Sequence, residues 1–258
     1  GGTTRLKHLY QSDPLRVLFP YSAEGELPTA VISSTAGGLV GGDKIDIRFS
    51  VGPQARSLGT VQAAEKVYRS SGPTSRINVE LCAAEESWLE WLPQETILFE
   101  NARLRRLTKV DLKPGARLLA GEMLVLGRLA GGERFSHGLL HDAWQVWRND
   151  RLLWADALHL EREIEQVLGS PAGFNDCRCC ATAIYAAEDS AEQLDLAREL
   201  LPAEEGLRTG ATCVGGVLLV RWLGADPLSL RNHFGHFWAA FRHRVAGLPE
   251  QLPRLWHV

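Results

Sequence analysis

The chain has 258 residues, 45% hydrophobic and 23% charged, with a formal net charge of −3. That balance belongs to a globular protein with a large core, and it argues against a nucleic-acid binder, which would carry a basic stripe. No apolar run reaches the ~18 residues of a membrane helix, and the first residues, Gly1 to Arg5, lack an apolar signal core. Five cysteines, an odd number in a chain this long, read as reduced thiols rather than a disulfide framework. The cytosol is the expected compartment, with neither membrane nor nucleic acid as a partner.

In chain order, the first conspicuous stretch is "TAGGLVGGDKIDIRFSV", residues 35–51. Gly37 and Gly42 have the separation of a Walker loop, but Asp43 stands where its lysine belongs and Ile45 replaces its hydroxyl. Glycines at i, i+2 and i+5 are also missing, so the dinucleotide fingerprint fails. Lys44 to Val51 then alternates polar and apolar, the mark of a half-buried strand with no helix N-terminus to hold a phosphate. The nucleotide reading is rejected. Tight turns and close backbone approach are the expected use of the glycines.

Alternating runs dominate to about residue 188. "SWLEWLPQETILF" (87–99) and "ARLLAGEMLVL" (116–126) are the densest, with turn signals at Gly52-Pro53, Gly72-Pro73, Pro114-Gly115 and Gly131-Gly132. A faint repeat starts at Val51, Leu81 and Leu112 and reaches Leu58, Trp88 and Leu119. A period of about 30 residues predicts stacked β-units rather than a closed barrel.

Two helices are expected in the C-terminal third. Ser190 to Gln193 fits a capping box opening a helix over 190–201, stopped by Pro202. Asp226-Pro227 opens a second over 227–246, with Leu230, Phe234, Phe237, Phe241 and Val245 as a core stripe and Gly247 ending it. Between them a strand is expected over Val214 to Trp222, within strand structure spanning 207–223. The fold class is mainly β, a superhelical or β-helix-like stack with two α-helices. Its organisation is one domain over 1–258, β-rich to residue 188, with the helix–strand–helix of 189–247 packed on it.

Several constellations could carry chemistry. His233, His236 and His243 share one side of the second helix at ~100° per residue; a polar face is the preferred reading, a soft metal stripe the sharper one. In "CRCC", Cys177 to Cys180, strand geometry sends Cys177 and Cys179 to one face and Cys180 to the other, and core packing is preferred to metal binding. A nucleophilic hydrolase is disfavoured, because no G-x-S-x-G elbow exists and Ser136, His137, His141 and Asp142 are sequence neighbours. Carboxylates inside apolar β-segments remain: Glu65, Glu90 and Glu95. Each alone is best read as solvated, since a buried one costs several kcal/mol unless paired or holding a cation. Together they could line a cation path.

"GGLVGGD", "TVQAAEKVYRS", "LEWLPQETILFENARL", "LVLGRLAGGERFSHG", "WADALHLE" and "PRLWHV" resemble, in order and over nearly the whole chain, the urease accessory protein family UreD, also called UreH. The resemblance implies a helix-poor superhelical scaffold, not an enzyme. Such a scaffold joins a helical partner, accessory protein F, and a GTPase, accessory protein G. It docks on apo-urease and passes nickel through an internal tunnel. The matching motif positions are Gly41, Gly42, Asp43, Gln62, Lys66, Tyr68, Arg69, Glu90, Pro93, Gln94 and Glu95. Glu65, where the family often has a small or hydroxyl residue, and "FNDCRCC" depart from the pattern. The expected mechanism breaks no bonds: nickel(II) is transient cargo rather than a tightly bound cofactor, with Asp43, Glu90 and Glu95 as passing oxygen donors. Because Pro93 interrupts the strand, a bend there is expected to turn Glu90 and Glu95 toward one interior with Asp43. The alternative is a passive scaffold that never touches nickel.

Overall fold

The structure is a computed structural model that describes residues 4–201 and 203–257. Two sheets face each other. Sheet B contains β3 (Lys44–Val51), β6 (Ser75–Ala83), β9 (Arg103–Leu112), β11 (Leu139–Arg148) and β12 (Arg151–Leu160). Its first four strands are parallel neighbours, and β12 closes one edge as the antiparallel arm of a hairpin. Sheet A runs from β1 (Leu15–Leu18) and β2 (Thr29–Ser34) through β4 (Arg56–Gln62), β7 (Trp88–Leu92) and β10 (Arg117–Leu126). It continues with β13 (Cys179–Ala186), β15 (Val217–Gly224) and β14 (Leu207–Val214), while the short β8 (Thr96–Leu98) pairs with β10 and the short β5 (Glu65–Val67) with β8. β2, β4, β7 and β10 are parallel. The chain thus winds from sheet B to sheet A and back, coil upon coil, which bears out the mainly β, stacked fold.

Equivalent turns set the coil. Ala55, Ser87 and Ala116 each donate their N–H to the carbonyl three residues back, at 3.1, 3.2 and 3.0 Å. Gln54, Glu86 and Gly115 hold the left-handed position of these turns, at φ of 56°, 55° and 67°. The turns also stack, Gln54 N on Glu85 O at 2.8 Å and Glu86 N on Pro114 O at 3.1 Å. A Cβ on Gly115 would lie 1.9 Å from Glu86 Oε1, so this copy needs glycine for space as well as conformation.

Strand register corrects the repeat. Val51, Ala83 and Leu112 are in line, as are Leu58, Glu90 and Leu119. The outer copies fall where the sequence puts them, but the middle one begins two residues later than Leu81. A two-residue slip keeps the same faces, so hydrophobicity alone could not reveal it. The corrected register puts Glu90 between Leu58 and Leu119 of the two neighbouring coils.

Both expected helices are present, and a third is added. α1 (Ile164–Gly169) buries only Ile164 and Leu168, too short a run to show a helical period. α2 (Leu194–Glu199) starts later than Ser190. Instead of capping it, the Ser190 hydroxyl accepts from Ala187 N at 2.8 Å and closes the preceding turn. Pro202 lies outside the described residues. The strand expected over 214–222 is crossed by a hairpin between β14 and β15, turning at Gly215-Gly216 with φ of 60° and 80°. α3 (Pro227–Ala246) forms as its signals dictate: Asp226 accepts from Leu228 N at 3.1 Å and Ser229 N at 3.3 Å, and Gly247 is left-handed at the end.

α3 lies on the outer face of sheet A. Leu230, Phe234, Phe237, Trp238 and Phe241 pack there against Leu58, Leu119, Met123 and Trp222. Inside this apolar layer Glu90 and Arg242 are both 0% exposed and paired, Arg242 Nε to Glu90 Oε1 at 3.1 Å. Trp88 Nε1 and Trp238 Nε1 donate to the same carboxylate at 2.9 and 3.2 Å. Arg242 Nη1 also reaches Glu26 at 3.1 Å and the carbonyls of Pro249 and Gln251 at 3.2 and 3.0 Å. Replacing Arg242 by Met is therefore expected to lower stability by about 3–5 kcal/mol, because it strands a buried carboxylate. Adding Glu90→Leu, the residue of the neighbouring coils, should recover much of that loss in urea unfolding. A double variant no more stable than Arg242→Met alone would refute this reading.

Candidate functional site

The glycine loop does pack by close backbone approach. Leu39 N donates to Lys66 O at 2.7 Å, Tyr68 N donates to Leu39 O at 2.9 Å, and the Tyr68 hydroxyl reaches Gly37 O at 3.0 Å. A Cβ on Gly41 would lie 2.2 Å from Ser70 Oγ, and Gly42 is left-handed at φ 96°. The half-buried Asp43 accepts from Val40 N at 2.9 Å through Oδ2, fixing the entry into β3. The loop thus packs along β5 and the residues after it, Leu39 on Lys66 and Tyr68 and Gly41 on Ser70, while Gln62, Lys66 and Arg69 are exposed.

Pro93 breaks the strand. β7 ends at Leu92 and β8 begins at Thr96, and Glu90 and Glu95 both meet groups of α3. Glu95 pairs with Arg231, which also donates to Trp256 O at 2.8 Å, and Gln94 Nε2 donates to Leu255 O at 2.9 Å. The bend thus turns the two glutamates to one side, the helix side. Asp43 does not join them, and none of the three lines the cavities between the sheets.

What faces the inter-sheet space is another set of charges. The first half of β10 pairs with β7 and the last residues with β8, so Gly121 to Met123 lie opposite the break at Pro93. Glu122 points inward there. Arg106 from β9 and Asp142 from β11 are neighbours on sheet B, in line with Ile77 and Ile45 of the earlier coils. Arg106 Nε donates to Asp142 Oδ1 at 2.8 Å and Nη2 to Asp142 Oδ2, a bidentate fork. Nη2 also reaches Glu122 Oε2 at 2.8 Å, and Nη1 reaches Thr96 Oγ1 at 2.9 Å. A cavity of about 60 Å³ includes Glu65, Thr96, Arg106 and Glu122 in its lining. A second of about 500 Å³ includes Glu122, Asp142, Asp156, Cys180 and Arg221. Glu122 and Trp144 belong to both.

Electrostatics distinguish these groups. Burial pushes the Glu65 carboxyl up to about 7, with Arg106 opposing and Asp43 adding to the shift. Burial also raises Glu122, reinforced by Asp142 and opposed by Arg106. Burial disfavours the Arg106 charge, but Asp142 and Glu122 outweigh it and hold the guanidinium protonated. Glu65 and Glu122 are therefore carboxyls that hold a proton to higher pH than an exposed glutamate.

The remaining candidates divide by environment. Cys179 packs on the α3 side and its thiol donates to Gly224 O at 3.0 Å, whereas Cys180 faces the second cavity. Burial raises all three thiols, Cys179 to about 12, so they stand as neutral thiols. His233 pairs with Glu204, His243 Nδ1 contacts Leu248 O at 2.8 Å, and His236 is exposed. Ser136 and His137 both bind Glu100 in one loop, the His137 ring through the same Nδ1 that faces Ser136, so no nucleophile–base–acid relay forms. Among the described residues no three His, Cys, Asp or Glu side chains are grouped to hold a metal ion, and no helix is long and apolar enough to cross a membrane.

Glu65 gives a signed pH prediction. Its pKa is about 7 when folded against 4.5 for an exposed glutamate, so its contribution is present below about 4.5 and lost as pH rises through 7. Glu65→Gln should then match the parent at pH 4 and exceed it at pH 8 by about 1–3 kcal/mol in urea unfolding. An equal effect at both pH values would contradict the assigned burial.

Residues 1–257 match the family model described as UreD urease accessory protein. The urease accessory protein UreD of Magnetococcus marinus is 45% identical over 100% of this chain and 90% of its own length. The namesake proteins of Xanthobacter autotrophicus and Granulibacter bethesdensis are each 42% identical, over 99% and 93% of this chain and 86% and 99% of their own lengths. The chain belongs to the UreD urease accessory protein family, whose name places it in the maturation of urease.

Proposed function

We propose that this chain is a non-catalytic maturation scaffold that carries nickel(II) between its two sheets toward apo-urease, joined to accessory proteins F and G. The observation that carries the reading is the inter-sheet space itself. Two cavities meet at Glu122 and Trp144, with Glu65 in the first and Asp142 in the second. Oxygen donors spaced along such a path suit a divalent cation that must be released again. Asp43 lines neither cavity and bears on this path only through its charge on Glu65. Glu90 and Glu95, each held by an arginine, position α3 and the C-terminal segment instead. Nickel is cargo, GTP hydrolysis belongs to the partner, and the cytosol is the working compartment.

Partner docking is supported by the first strand region. Tyr10, Leu18, Phe19 and Tyr21 are exposed large apolar side chains beside β1, an edge strand of sheet A. Such a surface suits permanent association. One observation favours the passive scaffold: Arg106 already neutralises charge in the carboxylate cluster, so the cluster could serve only to hold the sheets together.

The two readings separate in one experiment. Glu65→Gln and Glu122→Gln, singly and together, should leave pull-down of accessory proteins F and G intact. They should lower the nickel content of activated urease, more in the double variant than in either single one. Unchanged nickel with intact pull-down would favour the passive scaffold, and lost pull-down would assign these residues to the fold.

A further inference from the structure

The outer face of sheet B carries a feature that the interior path does not use. His141 on β11 and His159 on β12 are direct cross-strand partners in the antiparallel hairpin. Their ring centroids are 5.5 Å apart at an interplanar angle of 66°. Two imidazoles bound cis to one ion at ~2.0–2.1 Å would hold their ring centres ~4.5–5 Å apart, so a small rotamer adjustment brings both nitrogens to a common ion. The next pair on the same face, Ala143 and Ala157, leaves that approach open.

The surroundings set the strength of such a site. Glu161 Oε2 stands 3.7 Å from His159 Nε2, and Glu161 Oε1 is 3.4 Å from Arg103. Arg105 on β9 is the lateral neighbour of His141, and its exposed guanidinium opposes a bound cation. Two imidazoles with a distant carboxylate and nearby arginines make a weak, solvent-open site rather than a closed structural one.

We propose that His141 and His159 bind one borderline divalent transition-metal ion, of the nickel(II), copper(II) or zinc(II) class, with water completing the coordination. This inference is independent of the interior path, since both rings lie on the opposite face of sheet B from Asp142.

The test uses the full chain titrated with nickel(II) chloride by calorimetry, and with copper(II) by electron paramagnetic resonance. His141→Ala/His159→Ala should lose one bound ion per chain and the nitrogen coupling of the copper(II) spectrum, and each single variant should bind more weakly. His236→Ala, an exposed histidine elsewhere, should behave like the parent. Unfolding without metal should not change, because both side chains are on an open face. A parent that binds neither ion, or a double variant that binds the same number with unchanged affinity, overturns the site.

Discussion

The interruption of sheet A at Pro93 is the constraint on which the rest of this structure depends. Proline cannot donate to the ladder, so the coil leaves the sheet after Leu92 and returns at Thr96. The coil before it breaks at the same level, between Gln62 and Glu65. The coil after it runs through unbroken as β10, which leaves Glu122 without a parallel neighbour on that side. A gap in two coils over a continuous third creates space between the sheets, and that space is where Glu65, Thr96, Arg106 and Glu122 gather.

The same break explains why two sets of carboxylates have different work. On the outer face Glu90 and Glu95 meet Arg242 and Arg231 and fasten α3 across the gap. On the inner face Glu122 and Asp142 share a single guanidinium, that of Arg106. Two carboxylates against one cation leave the inner cluster short of positive charge unless a proton or a further cation enters. On the outer side Arg242 likewise holds two carboxylates, Glu90 and Glu26, but neither of them lines either cavity, whereas Glu122 and Asp142 do.

Much of this was legible in residue order. Lys44–Val51 alternates and forms β3 with those bounds, and Asp226-Pro227 and Gly247 delimit α3. The glycines of 37–42 do serve close backbone approach. The inner cluster was not legible, because Arg106 and Asp142 are charged residues in alternating strands, where polar residues normally face water, and Glu122 is a lone charge in the almost continuously apolar β10. Only register shows that Arg106 stands in line with Ile45 and Ile77, so aligning the repeat correctly was the signal that could have found it. A repeat read two residues early in its middle copy hid the substitution of Glu90 for leucine in the same way. Ser190 misled because a buried hydroxyl closing a turn carries the same local pattern as a helix cap.

The most direct measurement of a nickel path between the sheets is an anomalous-difference map at the nickel edge. It would come from crystals of the full chain with its accessory partners, grown at saturating nickel(II). A peak between the sheets beside Glu122 and Asp142 is the expected result. Nickel found only on outer surfaces, with the inner cluster closed around Arg106 as it stands here, would contradict it.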